Sequence, residues 1–202
     1  MAMAVLDLIL VLVWVGLVSI VRGVVQYRRT GASPLRFRDK PGSAQWWSRF
    51  LSAIGVLFAV AAPLAELAGL PPFAILDRSV VRFGGVVLVV LGIVVTIGSQ
   101  LAMGDSWRGD VDQDVRTPLV TSGPFALVRN PIFSGAALTV TGLALVVPNF
   151  LSLAMLVLFI AGLEIQVRLV EEPYLLRVHG DTYRRYAART GRFVPGVGRL
   201  RP

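Results

Sequence analysis

Two stretches of the chain hold side chains whose types and spacing could do chemistry. The first runs from Leu119 to Gly135 and contains Ser122-Gly123-Pro124-Phe125 followed by Arg129-Asn130-Pro131-Ile132-Phe133-Ser134-Gly135. Ser-Gly-Pro predicts a turn, and Asn130-Pro131 predicts a helix start, with proline at the first helical position and Asn130 as its cap. Unpaired amides at such a start carry positive partial charge, and with Arg129 beside them they would seat a ligand carboxylate. An ordinary capped helix has the same features. The second stretch, Glu164 to Arg192, contains Glu164, Arg168, Glu171, Glu172, His179, Tyr183, Tyr186, Arg189 and Arg192. Glu164 and Arg168 are four apart, and Arg168 lies three and four before Glu171 and Glu172, so a regular helix would put all of them on one face and let them pair. Gly180-Asp181 reads as a break and a new cap, opening a short helix with Tyr183 and Tyr186 on one side. The bland alternative is an amphipathic helix at the membrane interface with its arginines toward phosphate.

The elements that must position these residues are apolar. The chain has 202 residues, 55% of them hydrophobic and only 16% charged, with a mean hydropathy of +0.71. A water-soluble domain of this size could not bury that much apolar surface, so lipid is the solvent for much of it. A spanning helix needs about 20 mostly apolar residues. Such runs are predicted over about 5–25, 50–70 and 80–101, followed by a pair of shorter arms, Pro131 to Val147 and Phe150 to Val167, hinged at Pro148-Asn149. So tight a connection predicts an antiparallel helical hairpin. The first run has no basic residues before it, unlike a cleaved signal peptide, and reads as a retained span. Trp46 and Trp47 stand where indoles favour the interface. Pro63 and Glu66 suggest a bent or interfacial end to the second span. Gly85 and Gly92, seven apart, lie on one helical face and would admit a neighbouring backbone.

Charge and composition exclude several functions. Without cysteine there is no disulfide, thiolate metal site or cysteine nucleophile. No metal site is expected: Asp105, Asp110, Asp112 and Asp114, with Trp107 and Arg108 among them, lack the ligand order of a calcium loop and read as a solvated loop. The net charge of +8 points to anionic lipid headgroups rather than nucleic acid, because the arginines flank apolar runs and form no separate basic domain. With alternating spans, eighteen of the 20 Lys and Arg residues fall on one face of the membrane. By the positive-inside tendency that face is cytoplasmic. The expectation is an all-α integral membrane protein of about five transmembrane helices, N-terminus outside and C-terminus inside. It forms one domain over 1–202, with spans in 1–102 and the polar loop, hairpin and tail in 103–202.

These motifs, in this order, resemble those of the isoprenylcysteine carboxyl methyltransferase and phospholipid methyltransferase superfamily of integral membrane methyltransferases. The resemblance rests on Ser122-Gly123-Pro124-Phe125, on Arg129 to Gly135, and after the hairpin on Glu171-Glu172, His179-Gly180, Tyr183, Tyr186, Arg189 and Pro195. It covers roughly the last two fifths of the chain. Asn130 stands where the superfamily usually has His and Phe133 where it usually has Tyr, so neither position can carry a proton-transfer role here.

The resemblance implies S-adenosylmethionine in a cytoplasmic pocket between the loop before the hairpin and the segment after it, and a lipophilic acceptor arriving from the bilayer. Carried over by position, Gly123, Pro124, Phe125, Leu127, Val128, Arg129, Asn130, Pro131, Phe133 and Tyr183 would line the cofactor. Glu171 or Glu172 would hold its amino-acid part. Arg129 and Arg189 would meet its carboxylate or an anionic acceptor head, and Glu172 would take a proton if the acceptor were an amine; Arg129, Glu172 and Arg189 are thus the expected catalytic set. His179, the sole histidine, reads as structural or superficial. The competing classes are a sterol-reductase-type enzyme using NADPH, whose members tend to be longer, and a non-catalytic membrane protein with a degenerate pocket.

Overall fold

A computed structural model describes residues 1–31, 40–104 and 118–200. The aspartates at 105, 110, 112 and 114, with Trp107 and Arg108, lie outside the described residues. The fold is all-helical: α1 (Ala2–Val15), a π-helical turn (Gly16–Val21) and α2 (Arg22–Thr30) form one rod, followed by α3 (Ala44–Leu67), α4 (Ser79–Met103), the short α5 (Pro124–Leu127), α6 (Pro131–Val146) and α7 (Phe150–Ile165). A second π-helical turn (Gln166–Glu171) leads without interruption into α8 (Glu172–Arg189).

Among the described residues four helices are long and apolar enough to cross a membrane, and α6, at 16 residues, is a shorter apolar one. It runs antiparallel to α4 through the bundle, because the two backbones meet through glycine. A Cβ on Gly85 would lie 2.7 Å from Gly142 O, and one on Gly92 would lie 2.5 Å from Gly135 O. The close approach expected of Gly85 and Gly92 is therefore made, by a second pair with the same spacing on α6. Lipid drives no helices together by apolar burial, so such van der Waals contact has to do it. Nearby, Thr96 and Thr139 satisfy their hydroxyls on Gly92 O and Gly135 O of their own helices. α7 packs chiefly on α3, where Gly162 admits the Ser48 carbonyl.

The α6–α7 hairpin turns at Val147, Pro148 and Asn149, as expected. Asn149 is fully buried. It accepts from Leu151 N and Ser152 N at 3.0 Å and donates Nδ2 to Ala62 O at 3.0 Å, so the cap also joins the turn to α3. Pro63 lies inside α3, which continues to Leu67. The start of α3 carries Trp46 stacked on Phe50 with ring centroids 5.0 Å apart. α1 joins the core through Val11 and Trp14, the latter edge-on to Phe159 at 5.4 Å. Its π-helical turn leaves the Val18 carbonyl to accept from Gln100 Nε2 at 3.2 Å, while Arg22 donates to Gln100 O and Gly104 O, both at 3.1 Å.

From Phe150 to Arg189 the helix is 40 residues long. At about 1.5 Å per residue that is twice the hydrocarbon thickness of a bilayer, so its polar second half extends beyond it. Gly180, with φ 50° and ψ −124°, kinks this half at the expected break.

Candidate active site

The site is assembled at the end of the bundle where α4 finishes and α6 begins. Gly123 adopts φ 60° and ψ −133°, a conformation suited to glycine, and turns the chain into α5 with Pro124 at its first position. Residues after α5 are extended, and Pro131 then opens α6. From the other side, α8 ends at Thr190 and the chain reverses at Gly191, where a side chain would run into the Val194 carbonyl and the Gly196 amide. The segment that follows lies back along residues 128–134. Val128 and Gly191 form a parallel bridge, Arg129 N donates to Gly191 O at 2.8 Å, Asn130 N donates to Arg192 O at 3.1 Å, and Ser134 Oγ donates to Phe193 O at 2.7 Å.

The backbone pairing holds three ionised side chains together. Arg129, its side chain 1% exposed, donates Nη1 to Thr190 O at 2.6 Å and Ala187 O at 3.1 Å, and Nη2 to Glu172 Oε1 at 2.6 Å and Gly198 O at 3.1 Å. Glu172 also takes a bidentate grip from Arg192, Nε to Oε1 at 2.8 Å and Nη2 to Oε2 at 2.9 Å. Two guanidiniums on one carboxylate leave the cluster with one net positive charge, and Arg192, at 14% side-chain exposure, is the member that reaches the surface. The Glu172 carboxylate raises the Arg192 guanidinium further above its ordinary range, so it stays charged. Tyr183 is buried beside the cluster, and Tyr186 donates its hydroxyl to Phe125 O at 2.6 Å, tying α8 to α5.

Of the residues expected at the site, Arg129, Glu172 and Tyr183 come together, with Phe125, Val128, Asn130 and Pro131 buried around them. Gly123 and Leu127 are exposed on the turn and α5, Pro124 is half-buried, and Phe133 packs against the core. Glu171 accepts from Gln166 Nε2 at 3.3 Å and is held apart from both guanidiniums of the cluster. Arg189 is exposed and makes no hydrogen bond or ion pair among the described residues. Three expectations are corrected. The amides of Arg129 and Asn130 are not free for a ligand, since the segment after α8 has taken them. Asn130 occupies the cap position without capping, because its Nδ2 donates to Arg192 O at 3.2 Å. Arg168 pairs with Glu164 and not with Glu172, whose partners come from 43 residues earlier and 20 later.

Arg192 and Ser134 are the members that reading the sequence missed as site residues. Helical spacing finds partners three and four residues away, and neither the reversal at Gly191 nor the extra residue of the π-helical turn leaves such a trace.

No curated protein matches the chain. The phospholipid methyltransferase family profile matches residues 80–182, just over half of the 202 residues. The match takes in α4, the glycine-faced α6, the hairpin, Arg129 and Glu172, and stops before Tyr183 and Arg192. With four helices among the described residues able to cross a membrane, and with Arg129 and Glu172 of the charged cluster inside the matched segment, the chain belongs to the phospholipid methyltransferase family of membrane methyltransferases.

Proposed function

We propose that the chain is an S-adenosylmethionine-dependent methyltransferase acting on a lipophilic acceptor, with the Arg129–Glu172–Arg192 cluster at its cofactor end. The observation that carries the reading is the cluster's charge balance, two cations on one buried carboxylate, with Arg129 and Glu172 inside the family segment and Arg192 ten residues beyond it. Bound there, S-adenosylmethionine would supply an electrophilic methyl group. Its amino-acid part carries a carboxylate and an ammonium, and the residues present fit both. Arg192, at the surface of a net-positive cluster, suits the carboxylate. Glu171, bonded only through Oε1, suits the ammonium better than Glu172, whose two oxygens are already engaged.

Arg129 is a positioning residue in this reading, since its enclosed guanidinium holds Glu172 and the segment after α8 in register. The chain's main contribution to the reaction is alignment and exclusion of water, because direct methyl transfer asks little else of the protein. A carboxylate acceptor needs no base; an amine acceptor would pass its proton to water, since Glu171 is engaged by the cofactor ammonium and Glu172 by two guanidiniums. Leu127, Leu169, Val194 and Val197 expose apolar side chains on the elements that carry the cluster, which suits an acceptor with a lipid tail. In this reading the site end is cytoplasmic and the N-terminus outside, which the positive-inside tendency of the basic residues supports.

Calorimetric titration of the detergent-purified chain with S-adenosylhomocysteine, and in parallel with NADPH, tests the proposal. The expected result is binding of the former only, weakened roughly tenfold or more by Arg192→Ala and unchanged by Arg184→Ala. NADPH binding would transfer the site to reductase chemistry. Absence of both would mark a degenerate pocket. Turnover with an isoprenylated cysteine acid against a phospholipid amine would then separate the acceptor classes.

A further inference from the structure

At the opposite end of the bundle lies a second buried ionic cluster that methyl transfer does not use. Arg82, near the start of α4, donates Nη1 to Glu66 Oε1 of α3 at 2.9 Å and to Val146 O of α6 at 3.1 Å, and Nε to Asp77 Oδ1 at 2.8 Å. Asp7 of α1 is 2% exposed and lies within the electrostatic reach of Glu66 and Arg82. Among the described residues Glu66 from α3 and Arg82 from α4 are the titratable groups that act on it, while Asp77 from the connection between them and a carbonyl of α6 join the cluster through Arg82. Two carboxylates contact the one guanidinium, and the Asp7 carboxyl lies near them without a contact to it. Asp77 is 45% exposed at its side chain and meets water. Glu66 is neutralised by direct contact with Arg82. Asp7 has no cation of its own.

Two oxygens in this cluster are buried without a hydrogen-bond partner, Asp7 Oδ1 and Glu66 Oε2. An orphaned buried acceptor is costly, and an unpaired charge at this depth more so. One proton between the two carboxyls would supply the missing donor for one and the missing acceptor for the other, and would remove the unpaired buried charge on Asp7. We propose that Asp7 and Glu66 form a proton-binding site, in which a proton held on Asp7 is donated to Glu66 Oε2 and thereby fastens the first span to α3 and α4. The proton is assigned to Asp7 because Glu66 Oε1 already takes the Arg82 guanidinium, whereas Asp7 has no ion pair among the described residues. Loss of that proton sets two like charges against each other inside the bundle and loosens the first span.

Infrared difference spectroscopy of the full chain reconstituted in lipid vesicles tests this. At neutral pH the protein should show the carbonyl stretch of a protonated carboxyl group that shifts when the protein is made with carbon-13 carboxyl-labelled aspartate. The band should vanish in Asp7→Asn and persist in Asp77→Asn. The isotope label assigns the band without any substitution, so a variant that fails to fold does not decide the matter. Asp7→Asn, which keeps a neutral donor facing Glu66, should retain a thermal midpoint close to that of the unsubstituted chain, whereas Asp7→Ala should lower it. A neutral-pH spectrum with no aspartic acid band would overturn the proposal. So would a band that moves only with labelled glutamate. Stabilisation by sodium that Asp7→Asn abolishes, in the absence of the band, would identify a metal-cation site and overturn it as well.

Discussion

The two ends of the bundle each bury an arginine against a glutamate, and the surroundings make opposite use of the pair. At Arg82 two carboxylates, of Glu66 and Asp77, contact one guanidinium, a single backbone carbonyl is the remaining acceptor, and the buried Asp7 carboxyl lies within electrostatic reach. At Arg129 two guanidiniums converge on one carboxylate, and three backbone carbonyls, of Ala187, Thr190 and Gly198, take further donors from its Nη1 and Nη2, while its Nε is buried without a partner among the described residues. The first has an excess of acceptors and suits a proton or cation. The second has an excess of donors and suits an anion. An arginine–glutamate pair within an apolar bundle therefore says little about ligand chemistry until the groups around it are counted.

The sharpest way to break this comparison is to remove the glutamate at each end. Glu172→Ala strands two buried guanidiniums and is expected to cost about 3–5 kcal/mol, whereas Glu66→Ala leaves Arg82 on Asp77 and should cost clearly less. Unfolding monitored in detergent would measure both, and equal losses would show that the two clusters are equivalent in stability. The glycine contacts beneath both clusters come next. Gly135→Val places a branched side chain against the α4 backbone and should destabilise by about 1–3 kcal/mol or more. Gly84→Val, where a Cβ meets nothing, should be close to neutral in the same assay. Smaller effects come from single hydroxyls that hold the donor-rich end closed. Ser134→Ala and Tyr186→Phe each remove one bond, to Phe193 O and Phe125 O, and should cost about 0.5–1.5 kcal/mol apiece. Faster hydrogen exchange at the amides of Arg129 and Asn130 in Ser134→Ala would show that the segment after α8 lifts as a unit.

Much of the architecture was legible in local pattern. The run from Val80 to Leu101 sits inside α4, the Pro148-Asn149 break falls in the observed turn, and the Gly85 and Gly92 face meets a backbone. These depend on apolar length and on helical spacing, which a sequence displays directly. Asn149 was visible as a break but not as a buried group bridging to Ala62, because that partner is 87 residues away. Asn130 shows the reverse. Its position before Pro131 marked a helix start, and its side chain is then used for another purpose because Arg192 O lies within reach.

The sequence by itself determined that this is a bundle of apolar helices with the polar chemistry in two stretches, and that Arg129 and Glu172 stand among the motifs of a methyltransferase. Length, hydropathy and motif order are properties of neighbouring residues, and they survive without coordinates. Only the tertiary structure decided which cations meet Glu172. The π-helical turn at Gln166–Glu171 adds a residue to the helical repeat, rotating Glu172 by about 100° away from the face that pairs Glu164 with Arg168. The kink at Gly180 and the reversal at Gly191 then bring Arg192 back across 20 residues to grip it, leaving Arg189 exposed on the outside of α8.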